Sequence, residues 1–253
     1  MEICLLGTGG MLPLPQRFLA SCYVEQEKNG ILIDCGEGTQ VAFQKTSYDL
    51  SKLNIILITH WHADHIMGLT GLLLTLGNHL KKTPLYIIGA KGIKEVVTHI
   101  TFICKFLPYN IEFIELEETK QITFENLEIT AFPLFHPVPC FGYSMKLKEK
   151  DNYFKLSYCT DTRPTDTMKE IKDSDLFICE GMYGKDEQYE NAVRKRHLLF
   201  SEAAEIAKRY CVKELWLTHF SQTLLFPEKY LNVAEKIFLN TKIGKDFMKK
   251  IVL

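Results

Sequence analysis

The segment Thr59-His60-Trp61-His62-Ala63-Asp64-His65 places four metal-ligand side chains within six positions. Imidazole nitrogen and carboxylate oxygen are donors that zinc accepts readily. In a loop leaving a strand, His60 and His62 point one way while Asp64 and His65 turn another, an arrangement that suits two ions better than one. The apolar residues 55–58 precede this run and an amphipathic pattern follows it, and open α/β sheets place their sites at such strand ends. His136, Asp161 and His219 each stand just after a strand-like stretch, at 131–135, 158–160 and 215–218. Taken singly, each histidine would be a core or surface residue; the shared context makes His136 and His219 candidate ligands. Asp161, within Thr160-Asp161-Thr162-Arg163-Pro164, reads equally as a ligand or a turn carboxylate. His197 closes the basic run Arg194-Lys195-Arg196, which could hold a phosphate chain or form a solvated turn. His79 and His99 read as surface residues.

Short β-branched runs at 3–6, 31–33, 55–58, 85–88 and 215–217, bounded by Gly, Asp, Thr or Pro, predict buried strands. Apolar spacing predicts helices over 64–80, 201–210 and 228–239. Residues 111–158 read as antiparallel β, with a hairpin turning at Glu125-Asn126. Strands and helices are mixed without a linker or repeat, so 253 residues are expected to form one α/β domain, 1–253. The formal net charge is -1, which gives no global argument for a polyanion-binding protein. The eight cysteines are scattered without a C-x-x-C pair and are expected to be reduced core thiols. No apolar run is long enough to cross a bilayer, and the cytoplasm is the expected location. Gly7-Thr8-Gly9-Gly10 reads as a turn after the first strand, and Asp34 as a brace for the site loop.

These motifs together resemble the metallo-β-lactamase superfamily, in its ribonuclease Z branch of tRNA 3′-endonucleases. The histidine run marks the superfamily. The narrower resemblance rests on Gly36-Glu37-Gly38-Thr39-Gln40, on Val138-Pro139-Cys140-Phe141-Gly142-Tyr143 and on Asp161-Thr162-Arg163-Pro164, and it spans nearly the whole chain. It implies an αβ/βα four-layer sandwich with two Zn2+ per chain: His60, His62 and His136 on one, Asp64, His65 and His219 on the other, Asp161 bridging. Mn2+ or Fe could occupy the same donors. The resemblance also implies that Asp64 orients or deprotonates the attacking water, that His197 protonates the leaving group, and that Glu180 holds His197. Two such ions suit phosphodiester cleavage because they stabilise the attacking and leaving oxygens of an in-line displacement. A homodimer is a further expectation from the resemblance.

Three departures bear on substrate. The interval 143–160, where the family inserts a tRNA-gripping arm, holds only a short hairpin. Pro15 stands where the family carries a lysine between Pro13 and Arg17, and Leu198-Leu199 replace small hydroxyl residues after His197. The expected function is therefore a two-zinc endonuclease removing precursor tRNA 3′ trailers, the alternative being an armless phosphodiesterase acting on small or cyclic phosphodiesters. A di-iron redox protein would carry a carboxylate at position 62, and a non-catalytic binding module would not need seven ligands.

Overall fold

The computed structural model describes every residue except Glu27, Lys28, Leu80, Lys150, Asp151 and Leu253, with Glu149 described in its backbone alone. The chain gathers into two compact units, Met1–Glu117 with Lys245–Leu253, and Glu118–Gly244.

The first unit contains β1 (Glu2–Gly7), β2 (Ser21–Gln26), β3 (Asn29–Ile33), β4 (Leu53–Leu57), β5 (Leu85–Ala90) and β6 (Ile111–Leu116). Its helices are α1 (Thr39–Gln44), α2 (Ala63–Ile66), α3 (Leu69–Asn78) and α4 (Ile93–Ile100). Strands β3 to β6 pair in parallel, and β3, β4 and β5 are almost continuously buried, as expected where helices cover a parallel sheet. Leu69, Leu72, Leu73 and Leu76 of α3 pack with Leu32, Ile56 and Ile87 of the strands and Phe43 of α1. Each such aliphatic side chain stabilises the unit by about 1.5–3 kcal/mol.

The helix expected over 64–80 is broken. Gly68 separates α2 from α3, and its N–H donates to the Cys35 carbonyl at 2.9 Å. A Cβ on Gly68 would lie 2.1 Å from the Gly36 carbonyl oxygen. This approach of two backbones turns the chain where the apolar periodicity continues. Leu80, the expected helix end, lies outside the described residues.

The second unit contains β7 (Lys120–Phe124), β8 (Leu127–Pro133), β9 (Phe141–Glu149), β10 (Asn152–Cys159), β11 (Leu176–Glu180), β12 (Leu215–Thr218) and β13 (Thr241–Ile243). Its helices are α5 (Tyr189–Lys195), α6 (Phe200–Arg209) and α7 (Leu231–Glu235). The last strand, β14 (Lys249–Ile251), pairs antiparallel with β1 in the first unit's sheet. Strands β7 to β10 form an antiparallel meander, and β10 to β13 continue in parallel. Phe200, Ala203, Ala204 and Ala207 of α6 pack with Phe177, Leu215 and Leu217 beneath them.

The antiparallel expectation for 111–158 holds from β7 onward and fails for β6, which pairs in parallel with β5 in the other unit. The helix expected over 228–239 shortens to a 3-10 turn at Pro227–Tyr230 followed by α7. The Ile237 and Phe238 amides both donate to Ala234 O, and the Thr241 hydroxyl donates to Phe238 O, turning the chain into β13. Cys4, Cys22, Cys35, Cys140, Cys159 and Cys179 are buried free thiols, whereas Cys104 is half-buried and Cys211 exposed. Burial pushes the Cys4 thiol up to about 11. Among the described residues no helix is long and apolar enough to cross a membrane.

Candidate active-site clusters

In the first unit the parallel register aligns Ile33 with Leu57 and Leu57 with Ile88, so the chain leaves β3 at Asp34 and β4 at Thr59 side by side. Asp34 is wholly buried in the left-handed region at φ 59. Its Oδ1 accepts from the Thr59 amide at 2.8 Å and from the Thr59 hydroxyl at 3.0 Å, and its Oδ2 lies 2.8 Å from His65 Nδ1. Asp34 thus braces the histidine loop. A carboxylate on Nδ1–H leaves the Nε2 lone pair of His65 for a metal, and that Nε2 lies 3.4 Å from Asp64 Oδ2. His60 Nε2 and His62 Nδ1 stand 2.9 Å apart. Gly7-Thr8-Gly9-Gly10 supports the same loop, since the next amide, Met11 N–H, donates to Asp64 Oδ2 at 2.7 Å.

In the second unit three adjacent parallel strands end on functional side chains. The register pairs Cys159 with Cys179 and Glu180 with Thr218, so Asp161, Glu180 and His219 emerge from neighbouring strand ends. His219 Nε2 lies 3.1 Å from Asp161 Oδ1, and His136 Nε2 lies 3.6 Å from Asp161 Oδ2. Asp161 and His219 both occupy the left-handed region, at φ 56. Non-glycine residues held there cost about 1–3 kcal/mol each and cluster at functional sites.

Glu180, wholly buried, accepts from the Thr162 amide at 2.6 Å and from the Leu198 amide at 3.1 Å, while its Oε2 lies 3.1 Å from His197 Nδ1. His197 is buried directly after α5, where its amide closes the helix onto Ala192 O, and does not stand in a solvated turn. His79 and His99 are exposed, as expected.

The donors fit zinc. With Zn–N and Zn–O bonds of about 2.0–2.2 Å in tetrahedral directions, neighbouring ligand atoms stand roughly 3.3 Å apart. The four pairs above span 2.9 to 3.6 Å, on buried or nearly buried side chains. His197, Asp161 and His219 also offer donor atoms within 4.8 Å of one another. His197 Nδ1 faces Glu180, however, which suits a proton carrier held by a carboxylate better than a ligand.

Glu202 was not among the residues singled out from the sequence. Its carboxylate forms a bidentate ion pair with Arg163, whose Nη1 also donates to His197 O at 2.8 Å, so the Asp161 loop and the His197 turn are tied together. Glu202 three positions after Leu199, accepting the Leu199 amide at 3.0 Å, is half of a capping box, the one local signal that could have found it.

A sequence profile of the Beta-lactamase superfamily domain matches residues 29–220, crossing from one unit into the other. Ribonuclease Z of Clostridium acetobutylicum is 42% identical, over 100% of this chain and 98% of that protein. Ribonuclease Z of Lachnoclostridium phytofermentans is 39% identical, over 97% of this chain and 96% of that protein. The solved structure of the human tRNase Z short form matches with a TM-score of 0.85 at 28% identity, covering 100% of both chains. The first alignment runs 303 positions against the 253 residues of this chain, so about 50 positions have no counterpart here.

Proposed function

The chain belongs to the β-lactamase superfamily and, within it, to the ribonuclease Z family, and from that premise we propose that it cuts precursor tRNA on the 3′ side of the discriminator nucleotide, leaving a 3′-hydroxyl. It is a metal-dependent hydrolase with the metallo-β-lactamase fold. The observation that carries the reading is the buried Glu180–His197 pair beside Asp161: a held imidazole next to a ligand-type carboxylate suits a reaction whose leaving oxygen needs a proton.

In this proposal His60, His62 and His136 would hold one zinc ion and Asp64, His65 and His219 the other, with Asp161 as a shared ligand. When bound, the ions supply Lewis-acid stabilisation of the phosphoryl oxygens and acidify water. Asp64 accepts a proton from the attacking water and orients it. The phosphorus–O3′ bond breaks as the new phosphorus–oxygen bond forms, and His197 donates the proton from Nε2 to O3′, its Nδ1–H staying on Glu180. Glu180 balances the charge of the imidazolium, and through Thr162 it sets the Asp161 loop against the same ring. The trailer leaves with a 5′-phosphate. Work in the cytoplasm, and assembly as a homodimer that sedimentation would check, belong to the same proposal.

One observation favours a second reading, a phosphodiesterase for small or cyclic substrates. Strands β9 and β10 pair directly from Glu149 with Asn152, which leaves no inserted arm in the interval 143–160. Lys150 and Asp151, at the hairpin tip, lie outside the described residues. Zinc-loaded protein and His62→Ala should be assayed on a precursor tRNA with a 3′ trailer and on bis(p-nitrophenyl) phosphate, with the RNA ends mapped. Cleavage after the discriminator by the wild type alone supports the endonuclease. Turnover of the small diester only moves the assignment to the second reading, and no metal-dependent turnover of either overturns both.

A further inference from the structure

Phe135 is an exposed aromatic side chain directly before the buried His136, with 52% of its surface open. Its backbone is pinned on both sides: the amide donates to Thr162 Oγ1 at 3.1 Å, and the carbonyl accepts from the Arg163 amide at 3.2 Å. The ring is therefore presented to solvent from a fixed main chain. Arg196, directly before His197, lays its guanidinium over this ring, 4.7 Å from the centroid. Its Nη1 donates to the His136 carbonyl at 2.8 Å, and its own carbonyl lies 3.3 Å from His136 Nδ1. Arg196 stands in the left-handed region at φ 58, the turn that ends α5 and folds the side chain back over Phe135.

The two arginines beside this site differ in a way that matters. Arg163 is neutralised by the Glu202 carboxylate. Among the described residues no carboxylate lies within ion-pair distance of Arg196, whose contacts are a carbonyl oxygen and an aromatic face. Its remaining N–H donors and full charge can still take an anion. Arg194 and Lys195, exposed just before it, raise the local positive potential. A fixed aromatic ring and an uncompensated guanidinium lying against it match a flat heterocycle attached to a phosphate. Proteins grip unstacked nucleotides of single-stranded RNA in this way.

We propose that Phe135 and Arg196 form a ledge that docks one nucleotide of single-stranded RNA flanking the cleaved bond, its base on the Phe135 ring and its phosphate at the Arg196 guanidinium. The inference rests on the endonuclease reading and gives it a grip on RNA built from the catalytic unit itself, in a chain without the inserted arm. The placement follows from sequence adjacency: both halves of the ledge are one residue from His136 and His197, so the docked nucleotide neighbours the reacting phosphate.

The test uses a precursor tRNA whose scissile linkage is an uncleavable 3′-methylene phosphonate, with 2-aminopurine on either side of it in turn. Bound to the zinc-loaded wild type, one of the two labels should lose fluorescence through stacking. Phe135→Ala should abolish that quench and raise KM for the cleavable precursor about tenfold to a hundredfold, with kcat and zinc content within twofold of wild type. Phe135→Trp should restore both. Arg196→Gln should weaken binding and reduce its salt dependence by about one phosphate contact. Equal quench in wild type and Phe135→Ala, no quench by the wild type at either label, or an unchanged KM overturns the ledge. Failure of the wild type to cut any precursor overturns the endonuclease reading instead, and the quench comparison still decides the ledge.

Discussion

The carboxylate of Glu180 lies 3.1 Å from Nδ1 of His197, and no part of Glu180 reaches solvent. One carboxylate also accepts two backbone amides there, Thr162 and Leu198. Glu180→Gln keeps the shape but replaces an acceptor oxygen with a donor that must face one of three N–H groups. The expected outcome is a fall in kcat of about tenfold to a hundredfold with KM unchanged and zinc content within about twofold of wild type, since the variant disturbs the proton carrier directly and the Asp161 loop only through the Thr162 amide. Steady-state kinetics on precursor tRNA checks it; an unchanged kcat would remove Glu180 from the mechanism.

Gly68 has an ordinary helical φ of -73, so its glycine requirement is one of space. A Cβ there would meet the Gly36 carbonyl oxygen at 2.1 Å and the Cys35 carbonyl oxygen at 2.9 Å. Cys35 in turn donates its amide to His65 O at 2.8 Å. Gly68→Ala should therefore cost about 1–3 kcal/mol of stability or more and displace His65. Urea unfolding and zinc titration on one preparation measure both effects. A variant with wild-type stability would mean that the two backbones separate at little cost.

The histidine run was legible because its ligand types crowd into a few positions at the end of an apolar strand, a local pattern. His136 and His219 were legible through the same strand-end context. Asp161 was not decided by its neighbours, because what aims it inward is a left-handed backbone at φ 56, which residue type alone does not announce. The pairing of Arg163 with Glu202, 39 positions apart, had no local trace beyond a capping box. Strand β6 was expected to pair antiparallel because Ile111-Glu112-Phe113-Ile114-Glu115-Leu116 carries exposed acids like a half-solvated antiparallel strand. It lies at the edge of a parallel sheet, where one such strand can stay wet. The break at Gly68 was hidden because the apolar spacing runs through it.

Lys81 is buried at 2% exposure, its ammonium donating to Asn54 Oδ1 and Thr83 Oγ1, each at 2.7 Å. Burial pushes its pKa down to about 8 from the usual 10.5. The unfolded chain then keeps this proton to higher pH than the folded protein does. Between about pH 8 and 10.5 the unfolded state binds more protons, so this residue makes stability rise with pH across that window and makes no such contribution to the slope well below pH 8. Lys81→Met should be less dependent on pH in that range, so that wild type gains stability relative to the variant as pH increases. Urea midpoints at pH 7, 8.5 and 10 would show it (about one value per regime). Parallel curves for the two proteins would mean that the hydrogen bonds to Asn54 and Thr83 cancel the cost of burial.

Asp34 touches no candidate ligand except through His65 Nδ1, yet it also holds Thr59, the residue before the histidine run, by amide and hydroxyl. Its role is to choose the His65 tautomer, with the proton on Nδ1 and the lone pair on Nε2. Asp34→Asn removes the charge and can present an NH2 group to Nδ1, favouring the opposite tautomer with Nε2 protonated and unable to bind a metal. Carboxylates that orient histidine ligands typically contribute tenfold to a hundredfold in metal affinity. Competition against a chromophoric chelator should show a loss of that size for one zinc equivalent, with far-ultraviolet circular dichroism unchanged. Asp34→Glu, which retains the charge but must place it one methylene further into a fully buried position, should lose stability before it loses the tautomer. Wild-type zinc affinity in Asp34→Asn would show that the loop holds His65 without its carboxylate.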